Sequence, residues 1–314
     1  MKPSFKKINL TIIVFVVALY TIVSFFTYTQ TCLISTHQGE SMLQSEKENG
    51  SFDTLWLDKV SREDFEVTSE QGYTLSGTYL EAPEDSVKLT AVMVHGVTHD
   101  RWRMMRYAQI YLKHGIDVVL YDHRKHGLSG GEQVSFSYFE SQDLEKIVQW
   151  TKKRKPEDFI LAHGESLGGA TVTSHSGINE STHSVDFYIA DCPFSDTKEL
   201  LAFRAYEDFN VPDLGFMNTS SVVTKMLADF YLGDASPIQS VKNSKVPFLF
   251  IHGKADKYIP MQMTKDLFEA KKFGEKYIWL VPEATHAKSI TKAPVMYEIT
   301  VMNYVNTILS QLAK

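Results

Sequence analysis

Cysteine is scarce in these 314 residues: there are two, Cys32 and Cys192, far apart and in different contexts. Such a pair supplies neither a disulfide framework nor a zinc ligand set, and both read as incidental. Basic charge is not in excess either. Asp and Glu number 38 against 32 Lys and Arg, the net charge is −6, and no basic face is evident, which argues against a nucleic-acid partner. No internal repeat is found. His95, His99, His123 and His126 match no helical ligand spacing, and no Glu or Cys completes a zinc set. No metal site and no cofactor are therefore expected, and His95 and His123 are expected to be hydrogen-bonding residues beside a site. Arg101, Arg103 and Arg106 are within reach of an anionic substrate, but a solvated helix face is the expectation.

Only one long apolar run exists. Lys2, Lys6 and Lys7 precede an uncharged stretch from Ile8 to Tyr28. As a helix it spans about 30 Å, enough to cross a bilayer. A cleaved signal peptide has a shorter apolar region and a small-residue cleavage site, and Thr29, Gln30 and Thr31 make a poor one. The reading is an uncleaved single-pass anchor in the cell membrane, with residues 1–7 cytoplasmic and the remainder outside. Residues 29–53 turn polar and read as a linker. The domain from 54 to 314 is then expected to be soluble and active without the residues before it.

Along that domain, Phe65–Val67 and Tyr73–Leu80 flank a Glu-Gln-Gly turn and suggest a hairpin. Near-continuous apolar runs follow at 89–96, 117–122, 159–162, 185–190, 246–251 and 277–281, as expected for strands buried on both faces. Helical spacing separates most of them. Such alternation implies an α/β fold with a mostly parallel, doubly wound sheet. It breaks at about 195–244, where aromatic and Met residues are scattered among polar ones. This stretch reads as a helical cap over the sheet, with Phe203, Tyr206, Phe216, Met217 and Phe230 as candidate contacts to a small or lipid-like apolar acyl substrate.

The chemistry centres on HGESLGG, residues 163–169. Gly164-Glu165-Ser166-Leu167-Gly168 is G-x-S-x-G between a strand and a helix, a turn that strains the serine backbone and lifts its hydroxyl clear of the sheet. A serine hydroxyl needs a base to take its proton, and the base needs a carboxylate on its other nitrogen. With the order Ser, acid, His, His286 in VPEATHAKS and Asp256 in HGKADKYIP each follow a late strand at the same sheet edge. Asp191 is the rival acid. Backbone N–H groups of Leu167, after the serine, and Val97, after His95-Gly96, are the candidate oxyanion hole.

With its motifs VMVHGVTHDRW, LYDHRKHGLSGG, AHGESLGGA, ASPIQSVKNSKVPFLFIHGKADKYIP and ATHA, the chain resembles the α/β-hydrolase superfamily from about Phe65 to Ala313. Within it, the chain looks like membrane-anchored bacterial serine hydrolases of esterase type. The resemblance implies Ser166 as nucleophile with Asp256 and His286 as partners, and hydrolysis of an ester, thioester or amide through an acyl-enzyme. One departure is Lys125, where the common loop sequence DxRGHGxS has Gly. A serine peptidase or acyltransferase on the same residues, or a non-catalytic ligand-binding protein of the same fold, is the alternative.

Overall fold

The structure is a computed structural model that describes residues 5–36, 41–48, 50, 52, 57, 60–83 and 87–312. Helix α1 runs Phe5–Thr31 and α2 Ser41–Glu48. The hairpin β1 (Ser61–Thr68) and β2 (Thr74–Glu81) follows. Next come β3 (Leu89–Val94), a 3-10 turn at Arg101–Met104, α3 (Met105–Lys113) and β4 (Asp117–Tyr121). Then come α4 (Tyr138–Arg154), β5 (Phe159–Glu165), α5 (Leu167–Thr182) and β6 (Phe187–Asp191). The stretch after β6 forms α6 (Thr197–Phe209), α7 (Phe216–Ala228) and the short α8 (Pro237–Val241). β7 (Phe248–Gly253), α9 (Met261–Ala270), β8 (Lys276–Val281), α10 (Ser289–Lys292) and α11 (Pro294–Leu312) complete the chain.

The eight strands form one sheet in the order β1-β2-β4-β3-β5-β6-β7-β8. β1 and β2 pair antiparallel, β2 pairs antiparallel with β4, and every later pairing is parallel. Alternate strand residues feed two cores. Leu89, Ala91 and Met93 pack with Tyr107 and Tyr111 of α3 and Tyr297 and Val305 of α11 on one face. Val92 and Val94 pack with Leu144, Ile147 and Val148 of α4 and Val172 of α5 on the other. Burial on both faces explains why these strands read as unbroken apolar runs.

Helix α1 extends beyond the expected end at Tyr28, and Leu10–Thr31 is long and apolar enough to cross a membrane. The polar 29–53 segment, expected to be a stalk, is instead tied to the domain wherever it is described. Cys32 and Tyr28 are buried with Leu167, Phe194, Phe216 and Met217. The Val134 N–H donates to the Cys32 carbonyl at 2.9 Å, the Thr36 hydroxyl to the Lys125 carbonyl, and Arg103 pairs with Glu46 of α2 at 2.7 Å. Composition averaged over the segment is polar, but its few apolar side chains fall where the domain has room for them.

Described residues on both sides of the 53/54 boundary thus pack together, and we propose that the domain draws stability from the residues before it. A chain beginning at Asp53 would uncover Phe216, Met217 and Leu201 of the cap. It should unfold at lower temperature than the full chain in the same detergent and bind more of a hydrophobic dye. Equal melting temperatures would show that α1 contributes nothing to the fold.

Candidate active site

β5 ends at Glu165 and α5 begins at Leu167, so the chain reverses direction within a single residue. Ser166 sits there at φ 57° and ψ −115°, a region that costs a non-glycine residue about 1–3 kcal/mol. The turn is held by the Ser166 N–H donating to the Asp191 carbonyl of β6 at 2.8 Å. The crossing is too close for side chains. A Cβ on Gly164 would strike the Gly168 carbonyl, and one on Gly168 would strike the Val94 carbonyl of β3.

Three loops at the C-terminal edge of the sheet converge on this turn. Ser166 Oγ lies 2.9 Å from His286 Nε2, and His286 Nδ1 lies 2.7 Å from Asp256 Oδ2. Asp256 Oδ1 accepts from the N–H groups of Tyr258 (2.9 Å) and Ile259 (3.0 Å). Burial alone would raise this carboxyl, but the hydrogen bonds from His252 and His286 outweigh it and hold Asp256 well below its ordinary 3.8. An ionised Asp256 can only accept, so the His286 proton sits on Nδ1 and leaves Nε2 free to accept from Ser166. Asp191 is not on His286. Its Oδ2 accepts from the Tyr297 hydroxyl at 2.9 Å, and burial pushes its carboxyl up to about 6.

Gly96 backs onto the serine: a Cβ there would stand 3.4 Å from Ser166 Cβ. Val97 and Leu167 therefore flank the hydroxyl, and among the described residues neither N–H is engaged by a carbonyl. Two histidines brace the Val97 loop. His95 Nδ1 donates to the Gly96 carbonyl (2.7 Å) while its Nε2 accepts from the His123 N–H (2.9 Å). His126 Nδ1 donates to the Arg124 carbonyl (2.8 Å) and its Nε2 accepts from the Thr98 N–H (3.2 Å). Burial holds His126 down at about 3, so its ring stays neutral and can accept. Lys125 adopts φ 63°, the left-handed conformation for which Gly is the usual occupant.

The cap candidates divide. Phe216 and Met217 line a cavity of about 400 Å³ that reaches Val97 and Tyr258 beside the serine. The Tyr258 ring packs 5.0 Å from that of His286. Phe203, Tyr206 and Phe230 do not line it. Phe230 is fully buried and stacks on Tyr138 at 5.6 Å, and Tyr206 faces solvent. In a helix of unknown rotation, apolar character does not say which face meets the cavity.

The arginine group is also different from a solvated face. Arg101 and Arg106 are buried; Arg101 pairs with Asp122 and Arg106 with Glu165. Burial would raise the Glu165 carboxyl, but the Arg106 guanidinium reverses the effect and keeps it below the usual range. The Tyr107 hydroxyl also donates to Glu165 at 2.5 Å. Sequence reasoning passed over Glu165, the variable position of G-x-S-x-G, and His252, which lies 3.2 Å from Asp256 Oδ2 and is anchored to Thr264 at 2.6 Å. The i, i+4 spacing of His252 and Asp256 in HGKAD was the available signal. Cys192 lies within 4.8 Å of the Asp256 and His286 donor atoms. Burial pushes its thiol well above the usual range. Asp256 and His286 already hydrogen-bond each other.

In sequence the chain is similar to the uncharacterised protein YqkD of Bacillus subtilis (strain 168). The two are 33% identical over 302 residues, spanning 96% of this chain and 97% of the relative. A profile for the family described as serine aminopeptidase, S33, matches residues 85–210. Among solved structures, the Pyrococcus furiosus esterase Pf2001 superposes with a TM-score of 0.65 at 22% identity, covering 82% of this chain and 94% of that one. The chain belongs to the α/β-hydrolase superfamily. A second structural neighbour, the Pyrococcus horikoshii acylaminoacyl peptidase, superposes with a TM-score of 0.60 at 17% identity, covering 79% of this chain and 41% of that one.

In this hydrolase the pair behind the serine is a stability element with a sharp signature. Arg106→Met leaves Glu165 charged in the interior without its counter-ion and should cost about 3–5 kcal/mol. The double variant Arg106→Met/Glu165→Leu should recover much of that loss. Denaturant unfolding of the three proteins checks it, and a double variant no better than the single one would show that the pair is not coupled.

Proposed function

We propose that this chain is a serine hydrolase that cleaves carboxylic esters of apolar acyl groups through an acyl-enzyme. The observation that carries the reading is the continuous hydrogen-bond chain Ser166–His286–Asp256, with an apolar cavity nearby whose lining includes Tyr258, packed against His286. His286 Nε2 takes the hydroxyl proton as Ser166 Oγ attacks the acyl carbonyl. Asp256 holds the ring in position and stabilises its protonated form. The N–H groups of Val97 and Leu167 face the oxygen on which charge develops. His286 then returns the proton to the leaving group, and water, activated by the same ring, releases the acid.

Thioesters and amides fit the same steps. The description of the matching family and the acylaminoacyl peptidase neighbour favour a second reading, a serine peptidase on the same three residues. An acyltransferase would need water kept from the acyl-enzyme. We place the domain outside the cell membrane, anchored by α1, because Lys2, Lys6 and Lys7 precede the apolar helix.

Ser166→Ala should lower kcat by roughly 10⁴–10⁶ and abolish labelling by a fluorophosphonate; retained turnover would remove Ser166 from the reaction. Asp256→Asn should cost about 10⁴ with the fold intact. If Asp191→Asn does the damage instead, the acid is Asp191. Parallel assays on p-nitrophenyl esters and aminoacyl anilides separate esterase from peptidase.

The acid limb of kcat/KM should be no steeper than unit slope down to about pH 4, because Asp256 adds no protonation of its own there. Asp256, held below its ordinary value by two histidines, stays ionised through that window. A slope of two would show that the aspartate protonates in the same range.

A further inference from the structure

The cavity beside Ser166 is not closed by the cap alone. One of its walls is the C-terminal half of α1: Val23, Phe26, Thr27, Thr31 and, just after the helix, Ile34. Phe209, Phe216 and Met217 of the cap face them across the space. Polar contacts fix the two together. The Ser24 hydroxyl donates to Thr219 at 2.8 Å, and the Tyr20 hydroxyl donates to the Leu214 carbonyl at 2.8 Å. The Phe26 and Phe209 rings meet edge to face at 5.9 Å.

Length makes this contact informative. Leu10–Thr31 comprises 22 residues, about 33 Å of helix against about 30 Å of bilayer hydrocarbon. Contact with the cap begins as far back as Val16 and Val17, which share a second cavity with Val222 and Val223 of α7. The fully uncovered stretch before them, Leu10–Phe15, covers about 9 Å and cannot span a membrane alone. If α1 is seated in the bilayer, the cap beside it sits in the same leaflet. The cap surface suits that position. Phe209, Leu214, Val222, Met226 and Leu227 are exposed, and Leu214 and Met226 are more than three-quarters so. Two charge pairs lie among them, Lys225 with Asp229 and Arg204 with Asp208, and Asp213 beside Leu214 accepts from the N–H groups of Gly215 and Met217. Exposed apolar side chains of this size mark an interaction surface, and their place beside the apolar α1 makes hydrocarbon the fitting partner.

We infer that the cavity between α1 and the cap receives the acyl chain of a membrane-resident lipid, which enters sideways from the leaflet and presents its carbonyl to Ser166. The inference rests on the serine-hydrolase reading and narrows its substrate class to long-chain acyl esters held in a bilayer. It also makes α1 a specificity element as well as an anchor. The chain lies between Val23, Thr27 and Met217, and Val97 and Tyr258 mark the end at which the ester group stops.

The test uses the full chain in phosphatidylcholine vesicles, with fluorophosphonates bearing an ethyl or a hexadecyl chain as probes. The readout is the ratio of hexadecyl to ethyl labelling of Ser166, compared between proteins so that partitioning of the probe cancels. Val23→Phe and Thr27→Trp fill the α1 wall and should each lower the ratio about tenfold, the effect of displacing roughly two buried methylenes. Met226→Asp, outside the cavity, should lower the ratio in vesicles and not in detergent micelles. Ethyl labelling reports that each variant is folded. A ratio unchanged in Val23→Phe and Thr27→Trp overturns the inference while leaving the hydrolase reading standing. Ethyl labelling without hexadecyl labelling of the wild-type chain also overturns the inference alone, whereas failure of both probes to label Ser166 overturns the hydrolase reading itself.

Discussion

The closeness with which β5 and α5 cross at Ser166 sets the geometry of everything around it. Gly164 and Gly168 leave no room for a Cβ on either side of the serine, and the Asp191 carbonyl ties the turn to the next strand. That compression puts the hydroxyl at the sheet edge in a backbone conformation it would not adopt freely. It also places the first N–H of a helix beside the same oxygen, where a developing negative charge is favoured. His286 and Asp256 then need only be delivered by loops that end at the same edge.

What supports the strained turn from below is polar, which is unusual for the centre of a sheet. Glu165, Arg106, Tyr107, Tyr297 and Asp191 form a buried cluster, and His163 joins it through Tyr297 at 3.1 Å. Such a cluster is costly if one member is left unpaired and rigid when all are satisfied. Here it joins α3, β5, β6 and α11 behind the serine. A second polar brace, His252 between Asp256 and Thr264, orients the acid from its far side. The Ser166–His286–Asp256 geometry is thus held by groups outside the lining of the cavity.

In the proposed reading the N-terminal helix couples location to chemistry. Had it ended in a free stalk, position in a membrane and choice of substrate would be separate properties. Its docking on α7 and α6 instead gives the cavity a wall made by a helix long and apolar enough to cross a membrane.

Much of this was legible from residue order alone. Strands buried on both faces announce themselves as apolar runs, and the glycines of G-x-S-x-G have a steric reason that needs no coordinates. The order Ser166, Asp256, His286 left a single histidine to pair with the acid. These are local or ordinal properties, and one-dimensional order carries them completely. The rest depended on which groups meet across long separations. Arg106 becomes a buried partner because Glu165, 59 residues later, points back at it. Phe216 and Met217 reach the cavity while Phe203 and Phe230 do not because of how the cap helices are rotated. Cys32 and Tyr28 pack inside because the cap offers a matching hollow. Burial and pairing are properties of an assembled surface, so only the tertiary structure could decide them.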